Sequence, residues 1–232
     1  IKACLEHRHP YVRKNAALAV FHAHHLFGDN LLPDAPELIA DFLSRETDVA
    51  ARRNAFLMLF NENETLAIQF LAANMDDITK YGDGFALLVL ELTRKVCRKD
   101  PTQKSRFVRV LFQMLSANSP AVSYEASWTL VSLSSAPTAV RAAAVTYINL
   151  LNGQNDNNVK LIVLERLEGL KKKHGKILQE LLMDILRALS SPSQDICQKV
   201  VQVAIDVVTA RNVQEVVNVL KREVQKTMSD DN

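Results

Sequence analysis

The sequence predicts an all-α fold, an α-solenoid of about six helix-pair repeats. Three observations carry that prediction. One helical pattern recurs six times, all seven prolines fall where helices start or in loops, and no stretch alternates apolar and polar residues as a half-buried strand would. The pattern is clearest in Ser119–Leu133 (SPAVSYEASWTLVSL). Ser119 suits an N-cap, because its hydroxyl accepts from an unpaired first-turn N–H. Pro120 follows at the first helical position, where its missing N–H costs nothing. Val122, Ala126, Leu130 and Leu133 then form one apolar stripe at helical spacing.

The template is a cap residue with small or apolar residues three, seven and eleven positions later. It begins at His9 (Val12, Ala16, Val20), Asp48 (Ala51, Ala55, Leu59), Asp83 (Ala86, Leu90, Arg94), Ser119, Asp156 (Val159, Val163, Leu167) and Ser193 (Ile196, Val200, Ala204). Five of these six starts are Asp or Ser, His9 is followed by Pro10, and Arg94 is the single mismatch along the stripe. A period of ~40 residues with two helices per unit is that of HEAT and armadillo-type repeats. Each such unit stacks on its neighbours, so residues 1–232 are expected to be one solenoid segment of a longer trunk domain.

In chain order, 1–7 reads as the tail of a helix and 9–25 as its partner, closed by Gly28. The next pair spans roughly 36–44 and 48–60. Then come 64–74 and 84–98, joined by the turn around Gly82 and Gly84. Leu87–Leu90 is apolar all round and is expected to be covered on most sides. Pro101 restarts the chain, and 102–117 pairs with 120–133. The Ala-rich 138–151 pairs with 159–171 across the polar loop Asn152–Asn158. His174-Gly175 opens a helix over 177–190, Ser191 and Gln194 fit a capping box, and 194–210 and 213–226 complete the array. The polar tail Ser229–Asn232 is expected to fray.

A formal net charge of +2 argues against a dedicated nucleic-acid binder, which carries a strongly basic face. Cys4, Cys97 and Cys197 are odd in number, far apart and form no C-x-x-C, which favours a reducing, cytosolic setting. No apolar run approaches the ~20 residues of a membrane span, and no signal peptide is visible. The chain opens without Met inside an apparent helix, and is expected to be a piece of a longer solenoid.

Catalytic motifs are missing: no H-E-x-x-H, G-x-S-x-G or P-loop occurs. Gly82-Asp83-Gly84 reads as a turn, not a phosphate loop. His7, His9, His22, His24 and His25 are the tempting constellation, but a zinc site needs three or four converging ligands and only Cys4 lies near. Neither catalysis, cofactor nor metal is therefore expected. The basic pairs Arg13-Lys14 and Arg52-Arg53 recur at equivalent positions. Arg13 and Arg52 complete a HEAT-like D-x-x-[VA]-R pattern whose Arg bridges to a neighbouring repeat, whereas Lys14 and Arg53 are freer to face a partner. Lys171–Lys173 reads as solvated charge at a helix C-terminus. Trp128, the only tryptophan, reads as packing, because one Trp with Asn15 and Asn54 elsewhere does not make a peptide-holding ladder.

Longer strings carry a resemblance. CLEHRHPYVRKNAAL (Cys4–Leu18), PDAPELIADFL (Pro33–Leu43), RNAFLMLF (Arg53–Phe60), SPAVSYEASWTLVSLSSAPTAVRAAA (Ser119–Ala144), DNNVKLIVLERL (Asp156–Leu167) and RNVQEVVNVLKREV (Arg211–Val224) occur in order. Together they resemble the N-terminal trunk of the coatomer beta subunit family, which is related to the adaptin beta chains of clathrin adaptors. The resemblance implies a non-enzymatic, cofactor-free helical scaffold in a cytosolic vesicle coat. Such a coat works in Golgi-to-ER and intra-Golgi transport and sits peripherally on Golgi membranes and vesicles. Its implied partners are other coatomer subunits, the delta subunit especially, and a GTP-bound Arf-type small GTPase. The family's GTPase contacts lie toward the N-terminal trunk repeats. Tyr11, Lys14 and Arg53, near the starts of adjacent second helices and off the packing stripe, are the candidate partner-binding residues. The alternative is a generic HEAT-repeat scaffold of the nuclear transport receptor or phosphatase-scaffold type. A strongly charged concave face or a peptide ladder would mark that class.

Overall fold

A helix with one apolar stripe cannot hide it alone, so each element's partner is fixed by where the next stripe comes in the chain. A computed structural model describes residues 2–230, with side chains through residue 226. Thirteen α-helices follow one another with no strand among the described residues. They are α1 (Lys2–Leu5), α2 (Pro10–Phe27), α3 (Ala35–Arg45), α4 (Val49–Glu62), α5 (Glu64–Ala73), α6 (Asp83–Lys99) and α7 (Lys104–Leu115), then α8 (Pro120–Leu133), α9 (Pro137–Gly153), α10 (Asn157–Glu180), α11 (Leu182–Leu186), α12 (Gln194–Val207) and α13 (Val213–Asp230). Short 3-10 turns at Gly28–Asn30, Ile78–Tyr81, Pro101–Gln103 and Arg187–Ser190 join several of them. All six template starts coincide with the starts of even-numbered helices, α2 to α12, to within one residue. The stripe residues are buried except Val12, Arg94, Leu133 and Val159, which are half-buried.

The chain forms two compact units, one running to Val122 and one starting at Ser123. In the first, α4 packs between α2 and α6 and also against α3 and α5. Small residues at Ala16, Ala17, Ala51 and Ala55, none more than 7% exposed, let α2 and α4 approach closely. Deeper in, Phe56 and Phe85 meet at 4.6 Å between ring centroids, and Tyr81 meets Phe85 edge-on at 5.2 Å. In the second unit, α10 packs against α9 and α12. Tyr147, Val163, Leu167, Ile185, Ile196 and Val200 form its centre.

Caps do what the sequence predicts at three starts. The first-turn N–H groups of Tyr11, Ala51 and Asn158 donate to His9 Nδ1, Asp48 Oδ1 and Asp156 Oδ1 at 3.3, 2.8 and 2.8 Å. Three details differ from expectation. At α6 the N-cap is Gly82, with φ 86°, and Asp83 is already helical. At α12 the cap is Ser193, whose N–H donates to Ser191 Oγ at 3.4 Å, so Ser191 forms a local turn instead of a capping box. The helix expected to end at Lys171–Lys173 breaks at His174 (φ −135°, ψ 39°), so α10 is two helical pieces that meet there, and 177–190 is divided among the second piece, α11 and a 3-10 turn. The tail is helical to Asp230, and residues 231–232 lie outside the described residues.

Gly82 is required twice over. Its positive φ excludes most side chains, and an added Cβ would sit 2.7 Å from Val49 Cγ1. Gly28 also has positive φ, 56°, but open space around it. Gly28→Ala is therefore expected to cost about 1–3 kcal/mol from backbone strain. Gly82→Ala is expected to cost at least about 1 kcal/mol more, from overpacking against Val49. Urea unfolding followed by circular dichroism checks the order, and equal losses would refute the steric argument.

Candidate interaction surface

The first three turns of α2 and α4 carry the basic pairs, and the two members of each pair have different fates. Arg13 points inward. Its Nε and Nη2 donate to Glu46 Oε2 and Oε1 at 2.7 and 2.8 Å, while Nη1 donates to the carbonyls of His7 and Arg8 at 2.9 and 3.1 Å. Glu46, whose side chain is 1% exposed, also accepts the N–H groups of Thr47 and Asp48 at 2.8 Å each. Arg52 Nη2 donates to the Glu46 carbonyl, and its guanidinium lies 4.1 Å from the centre of the Tyr81 ring. Both arginines thus bridge neighbouring helix pairs, as the D-x-x-[VA]-R pattern predicts. The pattern gave no sign of Glu46 or Tyr81, because their positions beside a turn have no helical period.

Tyr11, Lys14 and Arg53 remain on the outside. Tyr11 is 63% exposed, and Lys14 Nζ lies 5.1 Å from its ring centroid, a cation–π contact on one face of α2. Arg53 is exposed on α4, where its Cδ runs along Gly84 so closely that a Cβ there would lie 3.0 Å away. Its neighbour Asn54 is buried and donates from Nδ2 to the Lys14 carbonyl at 3.1 Å. The three candidates therefore flank one tight helix–helix contact. Asn15 donates to the Tyr11 carbonyl at 2.8 Å. Both asparagines are committed to backbone, in keeping with the expectation of no peptide ladder.

The histidines divide similarly. His25 Nδ1 lies 3.0 Å from Glu62 Oε1, and buried His24 places Nε2 3.8 Å from Glu62 Oε2. His22 stacks on Phe21. Among the described residues no three metal-ligating side chains gather, and no helix is long and apolar enough to cross a membrane. Lys171 is not simply solvated, because its Nζ pairs with Asp206. Trp128 is half-buried, with the Arg166 guanidinium 5.3 Å from its ring centre.

Glu46 is a buried carboxylate in this region. Burial pushes its carboxyl up, but the hydrogen bonds from Arg13 and from the Asp48 and Thr47 N–H groups outweigh it and hold the group below its ordinary 4.5. A lowered folded value means stability that is complete above about pH 4.5 and is lost as pH falls through the folded value. Glu46→Gln is expected to cost about 1.5–3 kcal/mol at pH 7, the range for charged hydrogen bonds. The gap to the parent should shrink as pH is lowered below that range. Thermal melts across pH check it, and a gap that persists undiminished in acid would show that shape, not charge, holds the contact.

Comparison with known proteins agrees with the helical repeat. The adaptin N-terminal region model matches residues 1–232. Coatomer subunit beta of Dictyostelium discoideum is 50% identical over 229 residues, which is 99% of this chain and 25% of that protein. Coatomer subunit beta of Rattus norvegicus is 51% identical over 229 residues, 98% of this chain and 24% of its own length. Coatomer subunit beta-2 of Arabidopsis thaliana is 52% identical over 226 residues, 97% and 24% respectively. The chain thus spans about a quarter of the length of these relatives. A match over the whole chain, on a fold of stacked helix pairs, shows that this chain belongs to the adaptin N-terminal region family.

Proposed function

We propose that this chain is a scaffolding segment of a coatomer-type vesicle coat subunit. The carrying observation is identity near one half, sustained over nearly the whole chain, to coatomer beta subunits of an amoeba, a mammal and a plant. The structure supports the reading through what it presents. Inward positions are occupied by repeat-to-repeat contacts, and the outer positions carry mixed apolar and charged side chains over long helical faces. That is a surface for holding protein partners. The proposed role is in Golgi-to-ER and intra-Golgi transport, peripheral on the cytosolic face of Golgi membranes and vesicles, with the other coat subunits, delta foremost, as neighbours. Residues 1–232 act as one solenoid segment of a longer trunk.

Recruitment by a GTP-bound Arf-type GTPase is the mechanistic part of the proposal. A GTPase recruits a coat in a switched manner only if its two nucleotide states bind differently. Tyr11, Lys14 and Arg53 offer an exposed aromatic and two cations on adjacent helix pairs. That combination suits a surface which changes shape and charge with the γ-phosphate. The test is binding of this chain to an Arf-type GTPase loaded with a non-hydrolysable GTP analogue or with GDP. GTP-selective binding is expected, weakened at least tenfold by Lys14→Glu with Arg53→Glu while helicity is kept. GTP-selective binding that the double variant leaves within twofold would remove these residues from the contact. Equal affinity for the two nucleotide forms, or none for either, would place recruitment outside this chain.

A further inference from the structure

Arg166 is held in an arrangement that neither the repeat contacts nor the proposed coat role uses. Its Nε donates to Tyr124 Oη at 2.7 Å, and its guanidinium lies over two rings, 5.7 Å from the centre of Tyr124 and 5.3 Å from that of Trp128. These contacts fix the plane of the guanidinium and leave its terminal nitrogens without an ion pair among the described residues. The side chain lines a cleft of about 380 Å³ between α8, α9 and α10. Trp128 lines the cleft beside Arg166, and Lys172, Lys173 and His174 line it where α10 is interrupted. Tyr147 lines the floor. It is 1% exposed, its hydroxyl has no hydrogen-bond partner, and burial raises its pKa so that it stays a neutral donor. Glu165, the one acid on the lining, is already paired with Lys199 at 3.1 Å.

An aromatic wall, a preoriented guanidinium, two exposed lysines and an unused buried donor in one cleft describe a particular occupant. It carries carboxylates, it has an apolar side chain to lie against Trp128, and it offers an acceptor toward Tyr147. We propose that this cleft docks an acidic peptide segment in which one apolar or aromatic residue is flanked by Asp or Glu. Arg166 binds one carboxylate in its planar fork, and Lys172 and Lys173 pair with the flanking ones. The concave aromatic wall favours a peptide over a lipid headgroup, which needs only surface charge. The site lies in the second compact unit and does not depend on the GTPase contact proposed for the first.

Trp128 is the only tryptophan in the chain, so its emission reports on this cleft directly. The experiment titrates the 232-residue chain with a peptide of six Asp and Glu around a central Phe or Leu, lacking Trp and Tyr. Parallel titrations use the Asn and Gln counterpart and vesicles of phosphatidylcholine with phosphatidylserine. A saturable change in Trp128 emission with the acidic peptide is expected. Affinity should drop at least tenfold for the Asn and Gln peptide and for Lys172→Gln with Lys173→Gln, whose circular dichroism should match the parent. Equal binding of the neutral peptide, unchanged affinity in the double variant, or no saturation by millimolar peptide would each overturn the proposal. An emission change with vesicles alone would overturn it in favour of a membrane-facing patch.

Discussion

Everything in this structure follows from a constraint on single helices: one stripe of small and branched residues must find another stripe to lie against. A fourteen-residue helix such as α4 buries Ala51, Ala55 and Leu59 completely, and it can do so only because α2, α3, α5 and α6 surround it. The partners arrive one period later in sequence, so polar contacts between neighbours inherit the same spacing. Asn54 with Lys14, Lys99 with Glu64, Lys171 with Asp206 and Lys199 with Glu165 are separated by 40, 35, 35 and 34 residues. The periodicity of the core therefore sets which surface charges meet, although most of these surface pairs contribute little stability themselves.

Arg13 and Glu46 are the exception, because they are not at the surface. The N–H groups of Thr47 and Asp48, which lead into α4, find their acceptor in the buried Glu46 side chain. Glu46 Oε1 takes both and also receives Arg13. One residue thus caps a turn and neutralises an arginine from the preceding helix pair through its carboxylate, and through its backbone carbonyl receives Arg52. Removing Arg13 leaves the Glu46 carboxylate, 1% exposed, without its charge partner, which is costlier than never having had the pair.

The fold was legible because it depends on inward positions, and inward positions repeat. Helix starts could be read to one residue from His9, Asp48 and Asp156, since cap chemistry and the stripe agree there. Where the reading slipped, backbone preference was the reason. Gly82 outcompetes Asp83 as a cap because only Gly takes the positive φ that the turn after Tyr81 requires. At His174 the predicted break is present, and Leu170 and Leu178 on its two sides stay buried in the same core. The candidate surface was legible only in part. The D-x-x-[VA]-R pattern separated inward Arg13 and Arg52 from outward Lys14 and Arg53, but Glu46 and Tyr81 lie at turns that carry no periodic signal.

The same reasoning explains why the Trp128 cleft escapes a linear reading. Trp128, Tyr147 and Arg166 come from three successive helices, and each alone looks ordinary: a half-buried aromatic, a core tyrosine, an arginine in a charged stretch. Their meeting depends on the angle at which outer edges of stacked helices converge, and the stripe does not encode that angle. In a repeat array the core is a one-dimensional pattern, whereas sites form where side chains from several periods converge at the edges. A basic cleft can therefore exist in a chain whose net charge is only +2. Net charge limits what the whole surface attracts from a distance. What binds at short range is decided by which few side chains a helix break and a neighbouring ring hold in place.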